Sequence, residues 1–242
     1  MDRIYRSRLS SAVLISALFA ASAAADDHRS SDFALLCTSL SHPRTAAGAP
    51  VTTQIDNLRL DATVKWLGPS TVGSLILYNG HGAVTGWGIL VLPSTDPSAN
   101  ALAVLAGGIV VAPSPIVLPV GKWQRIRMDR VNQIVTMSVR GVDDDEPPQT
   151  FSFGGIGVNP VGGPFRTIEQ TLVGDAFNGL VESARIQTLD ASRTVIESWS
   201  FAHGTAAGKY ELFGGTATGA KGHVLNLQDA SWARRVKSRR DD

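Results

Sequence analysis

From Val51 onward the chain is written in short apolar runs of about five to nine residues, each closed by Gly, Pro or Asn. That texture leaves little room for anything but β-structure. Between Asn57 and Trp66 the apolar Leu58, Leu60, Ala62, Val64 and Trp66 alternate with Arg59, Asp61, Thr63 and Lys65. A period of two puts the first set on a buried face and the second in water. No long stretch repeats apolar residues at i, i+3, i+4 and i+7, so helices cannot be interleaved with these strands.

Further strands are expected at Gly73–Asn79, Gly86–Leu92, Ala101–Leu105, Gly108–Val111, Trp123–Met128 and Gln133–Arg140. Five more are expected at Thr150–Phe153, Gln170–Val173, Gly179–Gln187, Val195–Phe201 and His223–Leu227. The second and third runs, GSLILYN and GWGILVL, are apolar on both faces and suit interior strands. Asn79-Gly80-His81-Gly82 between them is turn chemistry, and Arg130-Val131-Asn132 suits a hairpin. Asp143-Asp144-Asp145-Glu146-Pro147-Pro148 has four like charges and two prolines, which fits a solvated loop and no central strand. Strands without intervening helices bury their apolar faces by stacking sheets. The fold class is therefore all-β, an antiparallel β-sandwich or jelly roll.

Residues 1–25 have the pattern of a secretory signal: Arg3, Arg6 and Arg8, an apolar run from Ala12 to Ala20, then Ala23-Ala24-Ala25 before Asp26. The apolar run is about half the ~20 residues that span a bilayer, so no membrane span is expected after cleavage. The address is secreted or periplasmic. Residues 26–50 read as a leader with one short strand at Ala34–Thr38, residues 51–232 as the domain, and residues 233–242 as a basic tail. The chain holds 22 Lys and Arg against 21 Asp and Glu, so no global field draws it to nucleic acid. Cys37 is the single cysteine, which excludes a disulfide scaffold and a multi-cysteine zinc site.

Three segments, in order, resemble the laminin-G-like, concanavalin-A-like lectin/glucanase superfamily. They are Gly86-Trp87-Gly88-Ile89, Gly121-Lys122-Trp123 continuing to Val142, and Asp175-Ala176-Phe177-Asn178-Gly179 continuing to Ile186. A fainter likeness joins Ile196–Phe201 and Val224–Leu227 to the laminin-G-like segment in large subunits of N,N-dimethylformamidase-type enzymes, where that module is an accessory without catalytic residues. The resemblance implies the same sandwich fold but no single ligand, since this fold hosts lectins, adhesion modules, hydrolases and lyases. It implies core positions for Trp123 and Trp199. It also implies calcium as the one cofactor to consider, with Asp175 and Asn178 as the loop oxygens to test.

Paired carboxylates two positions apart on one strand, the glycosidase arrangement, do not occur around Glu182 or Glu197. The five histidines, His28, His42, His81, His203 and His223, lack metal-ligand spacing. No Gly-x-Ser-x-Gly elbow is present. Tyr78, Asn79, His81 and Trp87 gather round one Gly-rich turn and are the expected rim of a sugar site. The expected function is an exported, non-catalytic module that binds a glycan or an extracellular or envelope protein. Two alternatives stand beside it: an accessory or structural subunit of a larger envelope complex, and a carbohydrate-active hydrolase or lyase with cross-strand catalytic groups.

Overall fold

A computed structural model describes residues 33–54, 56–80, 86–96, 100–107, 109–154, 170–201, 215–227 and 230–234. The signal segment 1–25 lies outside the described residues. The strands in chain order are β1 (Phe33–Cys37), β2 (Leu58–Trp66), β3 (Ser74–Asn79), β4 (Trp87–Val91), β5 (Ala101–Ala106), β6 (Ile109–Val117), β7 (Trp123–Val131) and β8 (Ile134–Gly141). They continue as β9 (Gln149–Phe153), β10 (Thr171–Asp175), β11 (Gly179–Thr188), β12 (Val195–Ser200), β13 (Thr216–Thr218), β14 (Val224–Asn226) and β15 (Ser231–Arg234).

Two antiparallel sheets face each other. The larger has eight strands in the order β15-β1-β11-β2-β7-β8-β9, with β12 also on β11. β1 meets β11 at Gly179–Val181 and β12 meets it at Ser183–Gln187, so these two lie end to end along one side of β11. The smaller sheet runs β10-β3-β4-β5-β6. A β13–β14 hairpin joins its rim through Arg44, which bridges to both Leu172 and Asn226. This is the jelly-roll sandwich that the alternation implied.

The core lies between the sheets. Leu58, Leu60, Ala62, Val64 and Trp66 of β2 meet Ile76 and Leu77 of β3 and Trp87, Ile89 and Val91 of β4 in one buried cluster. The Trp66 and Phe177 rings lie 5.2 Å apart. Apolar area removed from water stabilises such a core by roughly 25 cal/mol per Å². One charge shares it: Arg130 on β7 points inward, is 1% exposed, and sets its guanidinium 5.7 Å from the Trp87 ring centre. Burial lowers the basicity of that guanidinium.

Local rules explain the connections. β7 and β8 are joined by Asn132 and Gln133 at φ 51° and 66°, the two-residue turn whose twist suits antiparallel strands. The turn falls at the C-terminal end of the expected Arg130-Val131-Asn132 and takes in Gln133, because Arg130 and Val131 still pair with Val135 and Ile134. Asp143–Glu146 is an exposed loop, as its charges demand. β6 is longer than the expected Gly108–Val111 and carries Pro113 and Pro115. It is an edge strand, where a missing N–H is tolerated and blocks pairing with other chains.

The domain limits differ from those expected. The leader is not outside the domain from residue 33 on: β1 is inserted between β15 and β11. Thr45 is then tied to Thr171 by backbone and side-chain bonds of 3.0 and 2.9 Å. Ala233 and Arg234 belong to β15 rather than to a tail. Polar composition masked the first segment, because only Leu35 and Cys37 face the inter-sheet core.

Candidate functional site

β2 and β7 lie side by side with Arg59 opposite Asp129, Asp61 opposite Arg127, Thr63 opposite Arg125 and Lys65 opposite Trp123. All eight point away from the core, since Leu60, Ala62, Ile126 and Met128 between them are buried in it. β11 adds Arg185 beside Asp61 and Gln187 beside Arg59. β8 adds Thr136, Ser138 and Arg140, opposite Asp129, Arg127 and Arg125. The outer face of the larger sheet is thus a polar array spread over β11, β2, β7 and β8.

The array is wired by ion pairs. Arg125 grips Asp61 with two bonds, Nε to Oδ1 at 3.0 Å and Nη2 to Oδ2 at 2.9 Å. Arg127 Nε reaches the same Oδ2 at 3.1 Å. Arg59 holds Asp129 through two bonds of 2.6 Å. Burial raises the Asp61 carboxyl, but the Arg125 fork and the charges of Arg125, Arg127 and Arg185 outweigh it and hold it below its ordinary value. Asp61 is a fixed anion, unsuited to giving a proton as a general acid. Trp123 shares this face, half-buried, next to Arg125 in the same parity and across from Lys65. It is not in the core cluster, against the position that the resemblance implied; Trp199 is, at 1% exposure.

The expected sugar rim is not built as expected. Tyr78 is fully buried, donates from its hydroxyl to the Gly86 carbonyl at 2.7 Å and accepts from Gly107 N–H at 3.2 Å. It sits with Leu75, Leu90, Leu105 and Leu172, an apolar cluster apart from the inter-sheet core. Asn79 is fully buried, donating to the Thr52 carbonyl at 2.9 Å and accepting from Thr171 Oγ1 at 3.0 Å. Trp87 is 1% exposed and faces Arg130. Sequence closeness grouped them, yet strand parity sends Trp87 and Tyr78 to different clusters. His81 lies outside the described residues.

Asp175 and Asn178 fasten turns. Asp175 Oδ1 pairs with His42 Nδ1 at 2.8 Å, and Asn178 Nδ2 donates to the Gly68 carbonyl at 3.3 Å. Calcium asks for six or more oxygens, carboxylates among them. Among the described residues no three His, Cys, Asp or Glu side chains converge on one point. Cys37, also buried, packs its sulfur against Gly174, where a Cβ would lie 2.6 Å away. Burial and the nearby Asp175 charge push its thiol far up, so it is no nucleophile.

A second polar cluster was missed in the sequence. Glu197 on β12 has a fully buried side chain. Its Oε1 accepts from the backbone N–H groups of Ser198 at 2.7 Å and Lys221 at 2.8 Å. Its Oε2 accepts from His223 N–H at 3.0 Å and pairs with His223 Nδ1 at 2.8 Å. Burial raises this carboxyl, and the four donors outweigh it, so Glu197 is held below its ordinary value. It clamps the turn of the β13–β14 hairpin onto the larger sheet.

No protein-family model matches the chain, and no curated protein does. Solved structures share the fold. A Bacteroides ovatus protein described as carbohydrate-binding superposes with a TM-score of 0.55 at 13% identity, over 85% of this chain and 60% of that one. The chain thus spans 60% of that protein's length. A heptameric SAP-like pentraxin from Limulus polyphemus matches with a TM-score of 0.44 at 11% identity, over 64% of this chain and 76% of that one. Peanut lectin matches with a TM-score of 0.33 at 9% identity, over 87% and 94%. At such identities the likeness concerns the fold, and the class it defines is the jelly-roll β-sandwich.

Proposed function

We propose that this chain is an exported, non-catalytic module that binds a glycan on the outer face of its larger sheet. The observation that carries the reading is the position of Trp123. An indole half-buried on a water-facing sheet offers an apolar surface for the C–H face of a sugar ring. Arg125 and Lys65 stand beside it with donors for the ring oxygens. Strands hold these groups in place before the ligand arrives, which lowers the ordering cost of binding. Support also comes from the fold shared with the Bacteroides protein described as carbohydrate-binding.

The test is a glycan array probed with the purified protein, followed by titration of any hit with intrinsic tryptophan fluorescence. Binding that weakens about tenfold or more in Trp123→Ala, with an unchanged melting temperature, is the expected result. Hits that Trp123→Ala binds as tightly as the parent protein would remove the site, and no hit at all would remove the function.

A further inference from the structure

The charge on this face goes beyond what wiring a sheet requires. Six basic side chains occupy outward positions on neighbouring strands: Arg59, Lys65, Arg125, Arg127, Arg140 and Arg185. The carboxylates among them are Asp61 and Asp129, with Glu182 in the β11 bulge as a third. Among the described strand positions of this face an excess of three positive charges remains, in a chain whose formal net charge is only +1; at its margin Arg140 donates to the Asp144 carbonyl of the acidic loop.

The placement is also electrostatically costly. Arg125 stands directly opposite Arg140, a like-charge cross-strand pair that weakens a sheet. Asp61 serves Arg125 and Arg127 by direct bonds and Arg185 by its field. One carboxylate cannot saturate three guanidinium forks, each with five N–H donors. Arg127 engages Asp61 through Nε and keeps its side chain 38% exposed. Local rules that a sheet breaks without a packing gain mark a functional surface.

From this we infer that the glycan is acidic, and that Arg127 and Arg185, flanking Asp61 on the two strands beside β2, receive its carboxylate or sulfate groups. The inference rests on the glycan-binding reading above and names its ligand class. A guanidinium binds planar oxyanions through two parallel bonds. Arg127 and Arg185 lie two strand intervals apart, about 9.6 Å, one on each side of Asp61, a spacing for a polymer that repeats its charge along its length. Asp61 and Asp129 act as positioning residues that hold Arg125 and Arg59 in line. Trp123 at the end of the array takes the sugar face.

The experiment uses the full chain, with immobilised polygalacturonate as probe and its methyl-esterified form as the charge-masked match. Polyglutamate and double-stranded DNA serve as polyanions without sugar acids. Polygalacturonate should bind, esterification should abolish retention, and the Arg127→Gln/Arg185→Gln variant should bind about tenfold or more weakly while melting as the parent does. Should that variant fail to fold, raising the salt on the parent protein gives the second readout: affinity should fall steeply. Equal binding of the esterified polymer, or binding indifferent to salt, overturns the acidic class while leaving the glycan reading intact. Polyglutamate or DNA binding as tightly as polygalacturonate also overturns it. Failure to bind any glycan, neutral or acidic, overturns both.

Discussion

Replacing Glu197 by Gln removes one charge and almost no volume. In the structure each carboxylate oxygen takes two donors: Ser198 and Lys221 N–H on Oε1, and His223 N–H and ring on Oε2. An amide keeps one oxygen and turns an NH₂ group toward the other two donors, so one pair of bonds is lost and the second pair becomes neutral. Hydrogen bonds to a charged group contribute about 1.5–3 kcal/mol each. The hairpin side of the site is only part-buried, so water recovers some of the loss. We expect a cost of about 2–4 kcal/mol, which for a domain of this size lowers the melting temperature by roughly 5–15 °C. The pH dependence has a definite sign. The folded-state carboxyl lies below its ordinary 4.5, so its stabilisation is complete above that value and is lost as pH falls through the lower folded value. Thermal melts of parent and variant should therefore differ most near pH 7, with the gap shrinking as pH falls below 4.5 toward the lower folded value. A gap under about 1 kcal/mol at pH 7, or a gap that stays the same from pH 7 to pH 3, would refute the clamp.

Other consequences follow from neighbouring geometry. Gly219→Ala would put a Cβ 2.4 Å from Glu197 Oε1; it should destabilise the parent protein strongly and add less than its full effect to Glu197→Gln, a non-additivity that a double-mutant cycle measures. Gln133→Gly relieves a non-glycine residue at φ 66° and should raise stability by about 0.5–1 kcal/mol in urea melts. Cys37, buried with its thiol pushed up, should resist alkylation at pH 8 in the folded protein and react promptly in denaturant; fast labelling of the native state would contradict its burial. Asp61→Asn frees Arg125 and Arg127, both partly exposed, from their shared anion and should cost about 1–3 kcal/mol, as expected for charge-assisted bonds that water partly replaces; a melting point unchanged within a degree would show the pair to be dispensable.

How far the sequence reaches is visible in particular strands. The alternation in Leu58–Trp66 gave both the buried face and the wet face of β2, because one strand face packed on a core leaves no other solution. The same alternation in β7, with Ile126 and Met128 inward, assigns Trp123 to the wet face. A motif likeness pointed to the core instead, and parity was the better guide. The grouping of Tyr78, Asn79 and Trp87 failed for the opposite reason. Closeness in sequence round a turn says nothing about which face each side chain takes, and the irregular β3–β4 register between Leu75 and Leu77 shifts that parity unannounced. Arg125, Arg127 and Arg185 become a cluster only once β11, β2 and β7 are adjacent, an order set by long-range pairing. Glu197 and His223 meet across 26 positions, and their spacing carries no local signal. The inserted β1 is short and its neighbours polar, so its place in the sheet comes from partners at the far end of the chain.

The most direct test of the central claim is a crystal structure of the protein with an oligogalacturonate. The account predicts sugar density lying across β2 and β7, stacked at Trp123, with a carboxylate within hydrogen-bond reach of Arg127 or Arg185. Density confined to the outer face of the smaller sheet or to the loops at either end of the sandwich would contradict it.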